Sequence, residues 1–94
     1  MLDAKILWDL EDEPDGNVQH IAEHGVTMED VEEVLADPDN STEVDKKRPD
    51  RSITFGETTA GRYLAVVWET ALDDPLTIYP ITAYDVPRPR RKRR

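Results

Sequence analysis

Hydrophobic side chains recur with a helical spacing in the first half of the chain and with a strand spacing in the second half. Apolar residues three or four positions apart predict two short helices, the first over about residues 18–24 and the second beginning at Met28. Alternation of apolar and polar residues later in the chain predicts strands, and weaker strand patterns flank the helices. These strand patterns cover residues 5–9, 41–45, 51–58, 62–69 and 76–84.

The ends of both helices carry local sequence signals. Asn17 is a favourable N-cap for the first helix, because its side-chain oxygen can accept a hydrogen bond from a free backbone N–H. Gly25 can end that helix in the left-handed conformation that glycine adopts at little energetic cost. Thr27 and Asp30 form a variant of the capping box for the second helix, and Pro38 ends it. These signals predict a helical hairpin.

The order of the elements predicts an α+β fold. We expect an N-terminal strand, then the helical hairpin, and then a three- to four-stranded antiparallel sheet packed against the helices, because consecutive strands joined by short turns run antiparallel. The strand over residues 62–69 has apolar side chains on both faces, which predicts a central position in the sheet. Pro80 cannot donate to a strand ladder, so the last strand lies at an edge or carries a bulge.

The charge is divided unevenly along the 94 residues. All 21 acidic residues but only six of the 12 basic residues lie within residues 1–87, which gives that part a formal charge of −15. An acidic domain repels nucleic acid except at a local basic patch. We predict one domain over residues 1–86 and a basic, disordered tail over residues 87–94. The tail is either a solubilising segment or a contact for RNA, DNA, an acidic partner or its own domain.

Composition narrows the class of protein further. The chain has no cysteine, which excludes disulfides, iron–sulfur clusters and thiolate zinc sites. No apolar run approaches the roughly 20 residues that a membrane span needs. The first residues lack the basic region and apolar core of a signal peptide. We therefore expect a cytoplasmic protein.

Both histidines of the chain lie within one predicted helical turn of each other. His20 and His24, with Glu23 between them, match the pattern H-x-x-E-H of some zinc proteases. The chain has no other histidine to complete a catalytic zinc site, and a five-residue pattern is common by chance. We expect no metal and no cofactor. Each histidine has either a structural role, such as His24 opposing the negative end of the helix dipole, or a role in proton transfer.

A few basic residues stand out against the acidic background. Arg51 and Arg62 begin adjacent predicted strands, so both could stand at one end of the sheet. They are either members of surface ion pairs or phosphate contacts, since a guanidinium matches phosphate oxygens. The cluster Lys46-Lys47-Arg48 is either a solvated turn or a nucleic-acid contact. Trp8 and Trp68 fall within apolar alternations, which favours the core over stacking platforms.

Taken together, these features carry a family resemblance. The chain resembles the BrnT family of toxins from bacterial toxin–antitoxin pairs over about residues 6–85. The matching features are Trp8-Asp9, Asn17 with His20, His24-Gly25-Val26-Thr27, Glu33-Val34-Leu35, Asp37-Pro38, the Arg51 strand, Gly61-Arg62, Leu64 with Val66-Val67, and Ile81-Thr82-Ala83.

The resemblance implies a fold similar to that of the RelE-like ribonuclease toxins. It further implies cleavage of RNA without a metal, and neutralisation by a DNA-binding antitoxin protein made from the adjacent gene. Such cleavage needs a base, an acid and cations near the phosphate. The candidates are His24 and His20 for proton transfer, Arg51 and Arg62 for phosphate charge, and Tyr84 as a further acid.

The strong negative charge supports a second interpretation. A ribonuclease of this kind is normally basic, and the sequence Tyr84-Asp85-Val86-Pro87-Arg88-Pro89 blocks the basic helical end typical of the family. The alternative is a non-catalytic, acidic interaction protein built on the same fold. Its acidic surface would bind a basic partner.

Overall fold

The computed structural model describes residues 4–89, which form two helices and five strands. The α+β class predicted from the sequence is confirmed. In chain order the elements are β1 (Lys5–Ile6), α1 (Asn17–Ala22), α2 (Met28–Ala36), β2 (Ser41–Val44), β3 (Ser52–Glu57), β4 (Tyr63–Asp73) and β5 (Leu76–Asp85).

The strands form one mixed sheet in the order β1-β5-β4-β3-β2. Strands β2 to β5 run antiparallel to their neighbours, as expected, but β1 pairs with β5 in parallel. The four strands after the helices fall within the predicted three or four antiparallel strands. The N-terminal strand joins the same sheet in parallel, so the sheet has five strands and is mixed rather than purely antiparallel. The connection from β1 to β5 contains the rest of the fold, and such a long connection allows parallel pairing.

The two helices cover one face of the sheet. Helix α1 packs against β5, and α2 packs against β3 and β4. The predicted joint between the helices is present, but each helix buries its apolar side chains against a different part of the sheet. The shared core contains Ile21, Val26, Val31, Val34, Leu35, Leu64, Val66, Trp68, Ile78 and Ala83.

Strand β4 is central, as the sequence predicts. It lies between β3 and β5 in the sheet. Leu64, Val66 and Trp68 belong to the core beneath the helices, while Ala65 and Val67 are also buried although they lie on the opposite face. Burial on both faces follows from the two-sided apolar pattern of this strand.

Proline at position 80 is accommodated by a bulge. Strand β5 is not at an edge, because it lies between β1 and β4. Val67 pairs with Thr82 but Trp68 pairs with Pro80, so Ile81 is the extra residue on β5. The bulge lets a residue without an N–H lie inside the sheet.

The joint between the helices forms as its sequence predicts. Gly25 has φ of 70°, and its N–H donates to the carbonyl of Ala22 at 2.9 Å. The N–H of Val26 donates to the carbonyl of Ile21 at 3.0 Å, which completes a Schellman motif. Thr27 and Asp30 form the reciprocal capping box at the start of α2.

The predicted cap of α1 is wrong. Gly16 holds the N-cap position. Asn17 is instead the first residue of the helix, and its side chain is fully buried. The Nδ2 of Asn17 donates to the carbonyl of Leu7 at 3.0 Å, and its Oδ1 accepts from the N–H of Asp9 at 2.9 Å. Strand β1 ends at Ile6, and the N–H of Leu7 still donates to the carbonyl of Ile78. The carbonyl of Leu7 and the N–H of Asp9 have their partner in Asn17 instead.

The described part of the predicted tail makes contacts with the domain. Arg88 donates through Nη1 and Nη2 to the carboxylate of Glu57 at 2.6 and 3.0 Å, and through Nη2 to the carbonyl of Gly61. The remainder of the predicted tail, residues 90–94, lies outside the described residues. Neither helix between residues 4 and 89 is long and apolar enough to cross a membrane.

Replacing Asn17 with aspartate should destabilise the fold by about 2–4 kcal/mol. The variant loses the donor to Leu7 and buries a carboxylate beside that of Asp9. Chemical denaturation measures the effect. Gln19→Glu makes the same charge change at an exposed position of α1 and loses only an exposed hydrogen bond to the carbonyl of Glu11, so it should change the free energy of unfolding by less than about 1 kcal/mol. Equal effects of the two variants would contradict a buried structural role for Asn17.

Candidate functional site

Three of the five predicted site residues come together at one end of the sheet. Strand β4 begins there and β5 ends there, since Leu64 pairs with Asp85. The imidazole of His24 and the phenol ring of Tyr84 have centroids 6.0 Å apart. Arg62 reaches the same place, and its Nη2 donates to the carbonyl of His24 at 3.2 Å. We call His24, Arg62 and Tyr84 the joint cluster.

Arg62 is held in the joint cluster by several acceptors. Its Nε and Nη2 donate to the two carboxylate oxygens of Asp85 at 3.0 and 2.7 Å. Its Nη1 donates to the carbonyl of Gly25 at 2.6 Å and lies 3.7 Å from the carboxylate of Asp30. The guanidinium thus joins the end of α1, the first turn of α2 and the end of β5.

The electrostatics of the joint cluster follow from this pairing. The hydrogen bonds from Arg62 hold the pKa of Asp85 below its usual range, and His24 adds a small attraction. Asp85 in turn raises the pKa of Arg62, with a smaller contribution from Asp30. Arg62 therefore forms the ion pair that is one of its two predicted roles. A phosphate would have to compete with Asp85 for it.

The joint cluster nevertheless offers the groups that proton transfer needs. His24 is exposed, so a substrate can reach its imidazole, whereas Tyr84 is half-buried beside it. An imidazole can accept a proton near neutral pH, and a phenol can donate one. The side chain of Arg62 is partly buried, with 30% of its surface exposed.

His20 lies in a different environment from His24. It is close enough to Asp9 to lower the pKa of that carboxyl, although the hydrogen bonds from Tyr79 and from the backbone of Asn17 lower it more. Helix α1 ends at Ala22, and the chain then turns through the Schellman motif. The two histidines therefore interact with different carboxylates, Asp9 and Asp85.

Tyr79 and Asp9 form an interaction that the sequence does not reveal. The hydroxyl of Tyr79 donates to Oδ2 of Asp9, which also accepts from the N–H of Asn17 at 2.9 Å. This hydrogen bond, together with burial, raises the pKa of Tyr79 to about 12. The partners are 70 residues apart in the chain, so no local pattern indicates the contact.

Arg51 does not join the joint cluster. In the β3–β4 register, Ser52 pairs with Trp68 at one end and Glu57 pairs with Tyr63 at the other. Arg51 precedes the first pair and Arg62 precedes the second, so they lie at opposite ends, about 24 Å apart. The expectation that both stand at one end of the sheet is wrong, because adjacent antiparallel strands begin at opposite ends.

Among the described residues, no group of three or more histidine and carboxylate side chains is arranged to hold a metal ion. The fold and the site together define a small α+β protein with an exposed imidazole beside a tyrosine and a paired arginine. Comparison of the chain with protein-family models, with curated proteins and with solved structures gives no match.

Removing the hydroxyl of Tyr79 should change how stability depends on pH. The folded pKa of Asp9 is lowered, so its stabilising contribution is present above its unfolded pKa of about 3.9 and is lost as the pH falls through the folded pKa. In Tyr79→Phe the main cause of that lowering is gone. The variant should be less stable than wild type at neutral pH, and the difference should shrink between about pH 5 and pH 2.

Denaturation at a series of pH values measures this difference. Tyr63→Phe is the matched control, because the hydroxyl of Tyr63 makes no hydrogen bond within residues 4–89. Its stability curve should run parallel to that of wild type. A Tyr79→Phe curve that is also parallel would show that Tyr79 does not act through Asp9.

Arg62→Ala should destabilise the protein by about 1–2 kcal/mol, because four hydrogen bonds to Asp85 and to the carbonyls of His24 and Gly25 are lost from a partly exposed group. Arg88→Ala is the matched control. The ion pair of Arg88 with Glu57 is more exposed, and it joins only the segment after β5 to the end of β3. Thermal denaturation should show a clearly larger loss for Arg62→Ala. Equal losses would contradict the inference that Arg62 holds the end of α1 to the end of β5.

Proposed function

We propose that this chain is a BrnT-like ribonuclease toxin of a bacterial toxin–antitoxin pair, and that it cleaves RNA without a metal ion. The observation that carries the proposal is the joint cluster, in which an exposed imidazole, a phenol and a guanidinium lie together. The motifs over residues 6–85 that resemble the BrnT family support it. The α+β architecture is compatible with a RelE-like fold, which is part of the same proposal.

In the proposed reaction His24 and Tyr84 move protons. The imidazole of His24 accepts the proton of a ribose 2′-hydroxyl, and the 2′-oxygen then attacks the adjacent phosphorus. The bond from phosphorus to the 5′-oxygen breaks, and Tyr84 donates its proton to that oxygen. The products are a 2′,3′-cyclic phosphate and a 5′-hydroxyl. Arg62 stabilises the negative charge of the phosphorane through its own positive charge.

The proposed catalytic set is smaller than the set predicted from the sequence. Arg51 lies about 24 Å from Arg62 along the strands, and His20 lies near Asp9. Neither therefore has a place in the proposed reaction. The proposal retains His24, Tyr84 and Arg62.

The proposal also includes a partner and a location. The partner is a DNA-binding antitoxin from the adjacent gene, and the charge of −15 over residues 1–87 favours a partner with a basic surface. The cytoplasm is the proposed location because the RNA substrate and the antitoxin are made there.

A second function is favoured by the ion pair of Arg62. Because Asp85 accepts hydrogen bonds from both Nε and Nη2 of Arg62, the joint cluster is also consistent with a purely structural role. In that case the chain is a non-catalytic interaction protein whose acidic surface binds a basic partner. The two functions differ in whether the isolated protein cleaves RNA.

Cleavage of RNA by the purified protein in the presence of a metal chelator tests the proposal. His24→Gln and Tyr84→Phe should each reduce the rate by at least about a hundredfold, the usual contribution of a general acid or base. Glu23→Gln, at an exposed neighbouring position, should cleave at the wild-type rate. Expression of wild type without an antitoxin should arrest growth, and His24→Gln should not.

Two results would decide against a ribonuclease. Intact RNA with the wild-type protein, together with harmless expression, would favour the interaction protein. Cleavage that persists unchanged in His24→Gln would instead identify a contaminating nuclease or a different site. Circular dichroism of each variant checks that it is folded.

A further inference from the structure

The turn between β2 and β3 holds most of the positive charge of the acidic domain. Residues 1–87 contain six basic residues, and four of them lie in this turn. We call residues 45–51 the basic turn. Its cations are Lys46, Lys47, Arg48 and Arg51.

Backbone hydrogen bonds give the basic turn a defined shape. The N–H of Arg51 donates to the carbonyl of Arg48 at 2.8 Å, and the N–H of Asp45 donates to the carbonyl of Arg51 at 2.9 Å. The carboxylate of Asp45 accepts from the N–H of Lys47 at 2.9 Å. Positions 46–48 are exposed, so their cations are presented to solvent from an ordered turn.

The cations of the basic turn differ from the other described arginines. Arg62 and Arg88 each pair with a carboxylate, whereas no ion pair within residues 4–89 involves the basic turn. Moreover, Nε of Arg51 is buried and has no hydrogen-bond acceptor in the part of the chain that the structure describes. A buried donor without a partner is costly, and an anion would satisfy it once a shift of the Arg51 side chain exposed Nε.

We propose that the basic turn binds phosphate groups in the backbone of a single-stranded nucleic acid. A guanidinium fork and flexible lysines suit phosphate oxygens, and the surrounding negative charge restricts a polyanion to this patch. The basic turn and the joint cluster lie about 24 Å apart along the strands, so they are separate sites. Binding here does not require cleavage at the joint cluster.

Fluorescence anisotropy with a labelled single strand of about ten nucleotides tests the proposal in the full chain. The variant combines Lys46→Gln, Lys47→Gln and Arg48→Gln at exposed positions. It should bind at least about tenfold more weakly than wild type at about 50 mM salt, and its log-log salt slope should fall by about 2. The matched control combines Arg90→Gln, Arg91→Gln and Lys92→Gln, which removes the same charge elsewhere.

The outcomes separate the possible sources of binding. A loss in the basic-turn variant that clearly exceeds the loss in the control supports the proposal. It is overturned if wild type does not bind, if the basic-turn variant binds like wild type, or if the control loses as much. Displacement of the strand by an equal phosphate concentration of inorganic phosphate would also overturn it, because the turn would then be a site for the free ion.

Two further variants keep this inference distinct from the proposed ribonuclease. Arg51→Lys keeps the charge but lacks the buried Nε and the planar fork, so binding should weaken several-fold. His24→Gln should bind the strand like wild type. A protein that binds at the basic turn but never cleaves would refute the ribonuclease and leave the basic turn as a nucleic-acid site.

Discussion

The contact on which the rest of the structure depends is the clamp made by Arg62. Its guanidinium binds the carbonyls of His24 and Gly25, the carboxylate of Asp85 and, at longer range, that of Asp30. Helix α1 has only six residues, and a helix of that length is not stable alone in water. Carbonyls at the end of such a helix need donors, and Arg62 supplies two. The position of His24 beside Tyr84 follows from that anchoring.

A second tie at the other end of α1 complements the clamp. Asn17 and Asp9 exchange hydrogen bonds between the start of the helix and the loop after β1, and Tyr79 joins this pair to β5. Helix α1 is thus fixed at both ends by polar contacts, while Ile21 at its centre enters the core. Each histidine lies near one of these ties. The two ties therefore explain why His20 and His24 interact with different carboxylates although they are only four residues apart.

The sequence predicts the features that depend on near neighbours. Gly25, Thr27 and Asp30 act within a few residues of their partners, so their pattern is enough to predict the joint between the helices. The apolar residues on both faces of β4 are enough to predict its central position in the sheet. Features that depend on partners far apart in the chain cannot be predicted from the local sequence pattern. The local sequence predicts a helix cap at Asn17, because its contact with the loop after β1 exists only in the folded chain. Nothing in the sequence around Tyr79 indicates that its hydroxyl binds Asp9. The site follows the same rule: His24, Arg62 and Tyr84 meet only once the register of β4 and β5 is fixed.

The clamp also sets a condition on any chemistry at the joint cluster. Every hydrogen bond that Arg62 makes to Asp85 is one that it cannot make to a phosphate. Full release of Asp85 would free the fork but would also leave the end of α1 less firmly held, because the same guanidinium binds His24 and Gly25. A phosphate that lies near Arg62 without displacing Asp85 avoids this conflict, since it interacts with the positive charge and leaves the clamp unbroken. It would then lie near two carboxylates, so its binding needs cations elsewhere on the protein.

The basic turn lies at the opposite end of the β3–β4 pair, far from Asp85 and Asp30, where those carboxylates are largely screened. A polyanion that binds at the basic turn therefore does not compete with Asp85 for Arg62. Because the two sites are separate, an acidic protein can hold a polyanion and keep its clamp intact.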